Sequence, residues 1–230
     1  MRLVASVSTT DEAIRWEDLH GPGRGVVYAA LSEYAPALGT QIHGRGWGRW
    51  GLVPFAVSPP EFPGAPRRKG VYAVAGTGTV EFASPLPEVL EAVARYLQRR
   101  GALTWARTSF TIQALDAVAP PAFADGVARF TTATAVLVKG VDDYLLPTAD
   151  GYEFLLGKNL EKKADTLGLP TDVSCEVTWA GTRRLLRVGG APKVGAVLDL
   201  RVTAAPEVLS SLWSWGVGQL NSAGFGLVRA

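Results

Sequence analysis

The 230-residue sequence predicts an α+β protein made of two units that repeat one order of elements. Two successive stretches each give the order strand, helix, strand, strand, helix, strand. A segment rich in proline and alanine, residues 119–126, separates them and breaks both periodic patterns. Because the order βαββαβ is that of the ferredoxin-like fold, we expect two tandem ferredoxin-like domains, residues 1–119 and residues 127–230.

The early elements of the first unit follow from periodicity and from glycine-rich breaks. Residues 2–8 alternate roughly between apolar and polar, which predicts a strand with one buried face. A helix is expected around residues 26–38, after the glycine-rich stretch 21–25. Residues 71–74 and 79–82 are expected to form two short paired strands.

The clearest predicted helix lies between Ser84 and Gly101. Ser84 is the expected cap, Pro85 suits the first turn, and Gly101 can end the helix. One face carries the apolar residues at helical spacing: Leu86, Val89, Leu90, Val93 and Leu97. A strand over residues 108–118 completes the unit.

The second unit repeats this order between residues 127 and 230. Strands are expected over residues 129–138, 173–179, 183–188, 195–203 and 225–229, and helices over 151–166 and 206–215. The stretch from Arg183 to Lys193 has a Gly189-Gly190 centre, which predicts a basic hairpin.

Composition excludes several classes of protein. Hydrophobic residues make up 47% of the chain and charged residues 19%, which is ordinary for a soluble globular protein. One cysteine and two histidines rule out an internal disulfide and argue against a zinc site, so no metal or cofactor is expected. No apolar run reaches the ~20 residues of a membrane span, and no signal peptide is evident, so we expect a cytoplasmic protein that does not contact a membrane.

The most distinctive motif is the glycine-rich stretch 216–226, which follows a predicted helix and leads into a strand. A dinucleotide-binding fingerprint has the opposite order, so that interpretation is excluded. Two alternatives remain. The loop can expose backbone amides as a shallow anion site, with Asn221 and Ser222 adding polar groups. Alternatively, Gly216 ends the helix, while Gly224 and Gly226 permit close packing.

This loop, with its preceding helix and the following Gly-Phe-Gly-Leu-Val, resembles the C-terminal signature of the repeat-associated RNA-binding superfamily of CRISPR proteins. Within that superfamily the chain most resembles the repeat-cleaving endoribonuclease, the sixth Cas family. Residues 38–43 and 53–58 resemble that family's helix end, histidine and Pro-Phe-x-x-Ser strand. Residues 131–136, 144–146 and 159–160 resemble the opening of its second domain.

The resemblance implies a metal-independent endoribonuclease that processes CRISPR precursor RNA. The 2′-hydroxyl of the repeat RNA would attack the adjacent phosphate, giving a 2′,3′-cyclic phosphate and a 5′-hydroxyl. CRISPR repeat RNA is the implied partner, with other Cas proteins of a surveillance complex as further candidates. One alternative is a non-catalytic guide-RNA-binding subunit of a CRISPR effector complex. Another is an unrelated two-domain α+β protein whose glycine loop is merely structural.

Metal-free cleavage needs groups that move protons and groups that stabilise the phosphorane. His43 stands after the first helix, where the family has its catalytic histidine, so it is the expected general acid or base; the alternative is a solvated loop histidine. Tyr28 falls where the family often has a tyrosine, which could orient or stabilise the reacting oxygens; the alternative is a half-buried helix tyrosine. Arg49 or Arg45 would stabilise the phosphorane, because Val53 occupies the position of the family's lysine. His20 is the weaker candidate.

Two segments are the expected RNA-binding surface. The stretch 183–201 holds five cationic side chains and only one carboxylate, Asp199. Arginines there can contact phosphates, although a solvated strand face would look the same. The predicted RNA-binding residues are Arg183, Arg184, Arg187 and Lys193 of the hairpin and Gly216, Gly218, Asn221, Ser222, Gly224 and Gly226 of the loop.

Overall fold

A computed structural model describes residues 1–66 and 69–230 of the chain. The first unit contains, in chain order, β1 (Arg2–Thr9), β2 (Ala13–Ile14), α1 (Pro22–Tyr34), α2 (Pro36–Gly44), β3 (Ala56–Val57), β4 (Tyr72–Ala73), β5 (Gly76–Ala83), α3 (Pro87–Arg100), β6 (Ala102–Trp105) and β7 (Thr108–Val118). A short 3-10 turn at Trp16–Asp18 precedes α1. The main sheet is antiparallel with the order β3-β5-β1-β7-β6.

The second unit contains β8 (Val127–Thr132), β9 (Val138–Lys139), β10 (Tyr144–Leu145), α4 (Tyr152–Thr166), β11 (Ser174–Ala180), β12 (Arg184–Val188), β13 (Ala191–Gly195), β14 (Leu198–Thr203), α5 (Pro206–Trp215) and β15 (Val228–Arg229). Its main sheet has the order β11-β14-β8-β15, and β12 pairs with β13 in a separate hairpin. In both units the first strand is central: β1 lies between β5 and β7, and β8 lies between β14 and β15. The predicted tandem ferredoxin-like fold is therefore confirmed.

Each sheet has its own apolar core. In β1 the alternate residues Leu3, Ala5 and Val7 are buried against the apolar faces of α1 and α3. In the second unit β8 and β14 form a core with α4 and α5, centred on residues such as Phe130 and Leu156. The two cores share no residue, which supports the proposed division into residues 1–119 and 127–230.

The predicted bounds of β7 and α5 are confirmed, whereas the helix expected at residues 26–38 is two helices. The chain breaks at Ala35 (φ −148°, ψ 59°) because a residue before proline avoids the helical region and Pro36 begins α2. The helix expected after Ser84 begins later, at Pro87. There the Ser84 Oγ accepts the backbone N–H of Leu86 at 3.0 Å.

Two predicted strand arrangements were wrong. β4 and β5 do not pair with each other, since β4 pairs with β2 and β5 lies between β1 and β3. The strand expected over residues 129–138 leaves the sheet after Thr132. The residues that follow form hydrogen bonds with the glycine loop instead. The carbonyls of Ala135 and Leu137 accept hydrogen bonds from the amides of Gly226 and Gln219, at 3.0 and 2.9 Å respectively.

The two units meet around the end of the chain. Arg2 lies over the ring of Trp213 at 3.9 Å and forms an ion pair with Glu81, which also pairs with Arg229. On another side of the contact, the Trp215 indole donates to the Val53 carbonyl at 2.8 Å. Within the described residues no helix is both long and apolar enough to span a membrane.

Candidate functional site

A surface pocket of about 370 Å³ lies where α1 and α2 meet, and we call it the helix pocket. It is lined by Tyr28, Ser32, Pro36, Gly39, Thr40, His43 and Gly44. The rings of Tyr28 and His43 meet edge to face, with centroids 5.1 Å apart and an interplanar angle of 75°. The structure thus brings together His43, the expected general acid or base, and Tyr28, the residue expected to orient or stabilise the reacting oxygens.

Local packing explains this meeting. Gly39 is buried against α1, where a Cβ would stand 3.1 Å from the Cβ of Leu31, so the two helices approach closely. His43 is exposed on the last turn of α2, which corrects the expectation that it lies in a loop. Tyr28 is half-buried against Phe55, and burial raises the pKa of its phenol above the ordinary 10.0. Its hydroxyl therefore stays protonated at neutral pH.

The two candidate arginines have different surroundings. Arg45 directly follows α2, two residues after His43, and its exposed side chain has no ion-pair partner in the part of the chain that the structure describes. Arg49 instead donates to both carboxylate oxygens of Asp165 at 2.6 and 2.7 Å, across to the end of α4. Trp50 donates to the same carboxylate at 2.6 Å. Arg49 therefore joins the two units, with its charge already paired.

His20 lies in the interior, away from the helix pocket. Only 6% of its surface is exposed, and its ring stacks on Phe225 with centroids 4.4 Å apart. Burial lowers the pKa of His20 to about 4, and its Nδ1 finds no hydrogen-bond partner among the described residues. The structure therefore makes His20 part of the contact between the glycine loop and the first unit.

The glycine loop is mostly buried, which corrects the expectation of an open string of amides. Gly216, Gly224 and Gly226 all have positive φ and close neighbours. A Cβ on Gly226 would stand 1.9 Å from the Val217 carbonyl oxygen, and one on Gly224 would stand 3.0 Å from the Nδ1 of His20. These three glycines are required for close packing, as the second alternative from the sequence proposed.

A hydrogen-bonded cluster inside the loop fixes its shape. The Asn221 Nδ2 donates to the carbonyls of Val217 and Phe225, both at 2.9 Å. Its Oδ1 accepts from the Nζ of Lys163 at 2.6 Å, and the same ammonium donates to the Gly216 carbonyl at 2.7 Å. Lys163 is only 2% exposed, and burial holds the pKa of its amine well below the ordinary 10.5.

The centre of the loop faces a second pocket, of about 420 Å³, which we call the lysine pocket. Its lining includes Gly218, Asn221 and Ser222 of the predicted RNA-binding set. Sequence reasoning missed its other wall, which is formed by lysines of α4 and by Lys139. The available signal was the helical spacing of Lys158 and Lys162, which places them on one face of α4.

The predicted basic hairpin is present as β12 and β13, with Gly189 and Gly190 both at positive φ in its turn. Three of its predicted RNA-binding side chains are exposed: Arg183, Arg184 and Arg187. Lys193 is half-buried, with its Nζ 5.3 Å from the ring centroid of Tyr144. The geometry leaves the arginines available to an anionic partner, and their role stays a prediction.

Comparisons with known proteins bear on the whole chain. Residues 118–230 match the family model described as CRISPR associated protein Cas6, C-terminal. A Cas6-related gene product of Pyrococcus furiosus has a similar fold with a TM-score of 0.79 at 14% identity, covering 100% of this chain and 97% of that chain. An RAMP protein that binds different RNA substrates reaches 0.82 at 14% identity, covering 100% and 98%.

A further solved structure, of a CRISPR associated protein Cas6, gives a TM-score of 0.78 at 18% identity and covers 100% of this chain and 98% of that chain. No curated protein sequence matches the chain. At these identities the structural likeness shows the fold. Together with the family-model match, it confirms the resemblance inferred from the sequence.

Proposed function

We propose that this Cas6-like chain processes CRISPR repeat RNA and cuts it without a metal ion, using His43 and Tyr28 in the helix pocket. The family-model match and the fold support the coarser part of this proposal, a role in repeat RNA processing. The observation that carries the finer part is the open pocket in which an exposed histidine contacts a tyrosine. The chain's other histidine is buried and unsuited to proton exchange with a substrate.

The proposed reaction is a transesterification within the RNA. A base removes the proton of the 2′-hydroxyl, the 2′-oxygen bonds to phosphorus, and the bond from phosphorus to the 5′-oxygen breaks as that oxygen receives a proton. His43 moves the protons, because imidazole exchanges them near neutral pH. Tyr28 keeps its proton and donates a hydrogen bond to a phosphate oxygen. Arg45, two residues away and without an ion-pair partner among the described residues, stabilises the charge of the phosphorane.

A second function, non-catalytic binding of guide RNA, is favoured by one specific observation. Arg49, the other candidate for phosphorane stabilisation, is paired with Asp165, and Val53 stands where the family has its lysine. The described cations near the helix pocket are Arg45, two residues after His43, and Arg24, whose charge acts on the Tyr28 phenol. The two functions differ in whether bound repeat RNA is cut.

The deciding experiment incubates the protein with repeat RNA in excess chelator and examines the products. We expect one cut, a 2′,3′-cyclic phosphate end, and resistance of an RNA with 2′-deoxyribose at the scissile nucleotide. His43→Ala should lower the cleavage rate by about 10²–10⁴-fold while RNA binding persists. Gln41→Ala, on the same helix but outside the pocket lining, is the matched control and should cut normally.

Other results would overturn the proposal in distinct ways. Full activity of His43→Ala would remove that residue from the chemistry. Equal cleavage of the deoxy substrate would exclude attack by the 2′-hydroxyl. Tight binding without any cut by the unmodified protein would support the non-catalytic alternative. Comparison of Arg45→Gln with Arg49→Gln assigns the cation, since we expect only the former to slow cleavage.

A further inference from the structure

The lysine pocket is a concave site at the junction of the two units with one sign of charge. Residues 50–53, β9, α4 and the centre of the glycine loop enclose it. Four lysines line it, Lys139, Lys158, Lys162 and Lys163, and the described residues of the lining include no carboxylate. Such a wall attracts an anion, because Lys139 and Lys162 have no carboxylate partner among the described residues, while Lys158 pairs with Glu161.

Three of these lysines are exposed, Lys139, Lys158 and Lys162, and the two on α4 lie together. Lys158 and Lys162 are exposed and one helical turn apart on α4, so their ammonium groups lie on the same side of the helix. Lys162 is 4.8 Å from the ring centroid of Trp50, and Lys158 pairs with Glu161 at 2.7 Å on the solvent side. Lys163, by contrast, is committed to the loop, where it bonds Gly216 and Asn221.

The loop contributes backbone donors to the same pocket. The chain turns at Leu220, a non-glycine residue with a left-handed φ of 56°, and a 3-10 turn over Asn221–Ala223 follows. The amides of Gly218, Asn221 and Ser222, which line the pocket, have no acceptor among the residues that the structure describes. Successive amides in such a turn form a concave cluster of partial positive charge that suits an anionic oxygen.

One lining residue also offers an unused acceptor. The Oδ1 of Asn159 is buried and has no hydrogen-bond donor among the described residues. A buried polar atom without a partner is costly, so a ligand that draws this amide towards the pocket and donates a hydrogen bond to it gains affinity. A ribose 2′-hydroxyl is such a donor, and it lies beside a phosphate in RNA.

We propose that the lysine pocket binds one nucleotide of the RNA backbone. Lys158 and Lys162 pair with its phosphate, the amides of the loop centre donate to the phosphate oxygens, and the ribose hydroxyl donates to Asn159. The volume suits one nucleotide, since small-molecule sites occupy roughly 300–1,000 Å³. The inference rests on the proposed function only in taking the repeat RNA as the ligand.

The test measures binding of repeat RNA as a function of salt in a His43→Ala background. Lys158→Gln with Lys162→Gln should weaken binding at low salt by about tenfold. Because both lysines neutralise the same phosphate, their loss should also reduce the slope of log K against log salt concentration by about 0.7 for single-stranded RNA. The matched control is Arg107→Gln, which removes an exposed cation from the β6–β7 turn and should leave the slope unchanged.

Hydrogen exchange supplies a second readout that does not depend on the variants. Bound RNA should slow exchange of the amides at residues 218–222. An unchanged slope in the double variant, or unprotected amides in the bound state, overturns the inference even if the RNA is cut. Protection without any cleavage instead supports this pocket and contradicts the proposed enzyme. Competition by inorganic phosphate as strong as that by RNA would reassign the pocket to a free anion.

Discussion

Asn221 is the residue on which the shape of the glycine loop most depends, and its replacement gives the sharpest test of the packing described above. Asn221→Ala removes both hydrogen bonds from Nδ2, to the carbonyls of Val217 and Phe225. It also removes the acceptor that Lys163 uses at 2.6 Å. The side chain is 5% exposed, so water does not replace these partners without opening the loop.

The magnitude follows from these contacts. Three hydrogen bonds contribute about 1 kcal/mol each, and buried polar atoms left without a partner cost about 1–3 kcal/mol more. We therefore expect Asn221→Ala to lower the free energy of unfolding by about 4–6 kcal/mol. That loss is a large fraction of the stability of an ordinary domain.

Urea unfolding followed by tryptophan fluorescence and by far-UV circular dichroism measures this change. Ser222→Ala is the matched control, because Ser222 is the next residue, is 6% exposed, and its hydroxyl makes no hydrogen bond within the described residues. We expect that control to change stability by less than about 1 kcal/mol. If Asn221→Ala also lost less than about 1 kcal/mol, the hydrogen-bonded cluster would not be what holds the loop.

Three further predictions concern other buried contacts and the packing of glycines. Burial lowers the pKa of His20 from 6.5 to about 4, so the unfolded state binds more protons than the folded state between these pH values. As pH falls through this range, the difference lowers the free energy of unfolding by about 3 kcal/mol. A His20→Gln variant should therefore lose less stability than the wild type between pH 6.5 and 4 in urea titrations, and an identical loss would contradict the assignment. Glu81→Gln should lower the free energy of unfolding by about 3–5 kcal/mol, because it leaves the buried Arg2 guanidinium without a carboxylate. An unchanged melting temperature in thermal unfolding would show that this ion pair is not needed. Gly226→Ala should be strongly destabilising, since the new Cβ would collide with the Val217 backbone. Gly157→Ala should instead stabilise the protein by about 0.5–1 kcal/mol, because Gly157 lies in the middle of α4 with open space around it. Equal effects of the two substitutions would refute the packing argument.

The glycines of the loop allow close packing, and the centre of the loop also lines a pocket. Gly216, Gly224 and Gly226 allow backbone segments to approach where a Cβ would collide, and they bury the loop between the units. Gly218, Asn221 and Ser222 line the lysine pocket. Gly218 is also required for close packing, since a Cβ there would stand 2.7 Å from the Leu137 carbonyl oxygen, and the anion-binding interpretation stays a prediction.

The two candidate arginines show that a local sequence motif does not reveal which side chains form ion pairs in the folded protein. Arg45 and Arg49 flank the same glycine-rich turn and were equal candidates by composition. Arg49 reaches Asp165, which is 116 residues later in the chain, and this pairing exists only because the two units pack together. His20 and His43 separate in the same way, one beneath the loop and one at the surface.

The sequence by itself determined the order of the elements, the bounds of β7 and α5, and the family resemblance, because periodicity, proline and glycine act over a few residues. It also nominated His43 and Tyr28 through that resemblance. Only the tertiary structure decided that α1 and α2 bring their rings together, that the glycine loop is buried, and that the α4 lysines face the loop centre. These features depend on contacts between residues distant in the chain, and local sequence patterns contain no information on which distant surfaces meet.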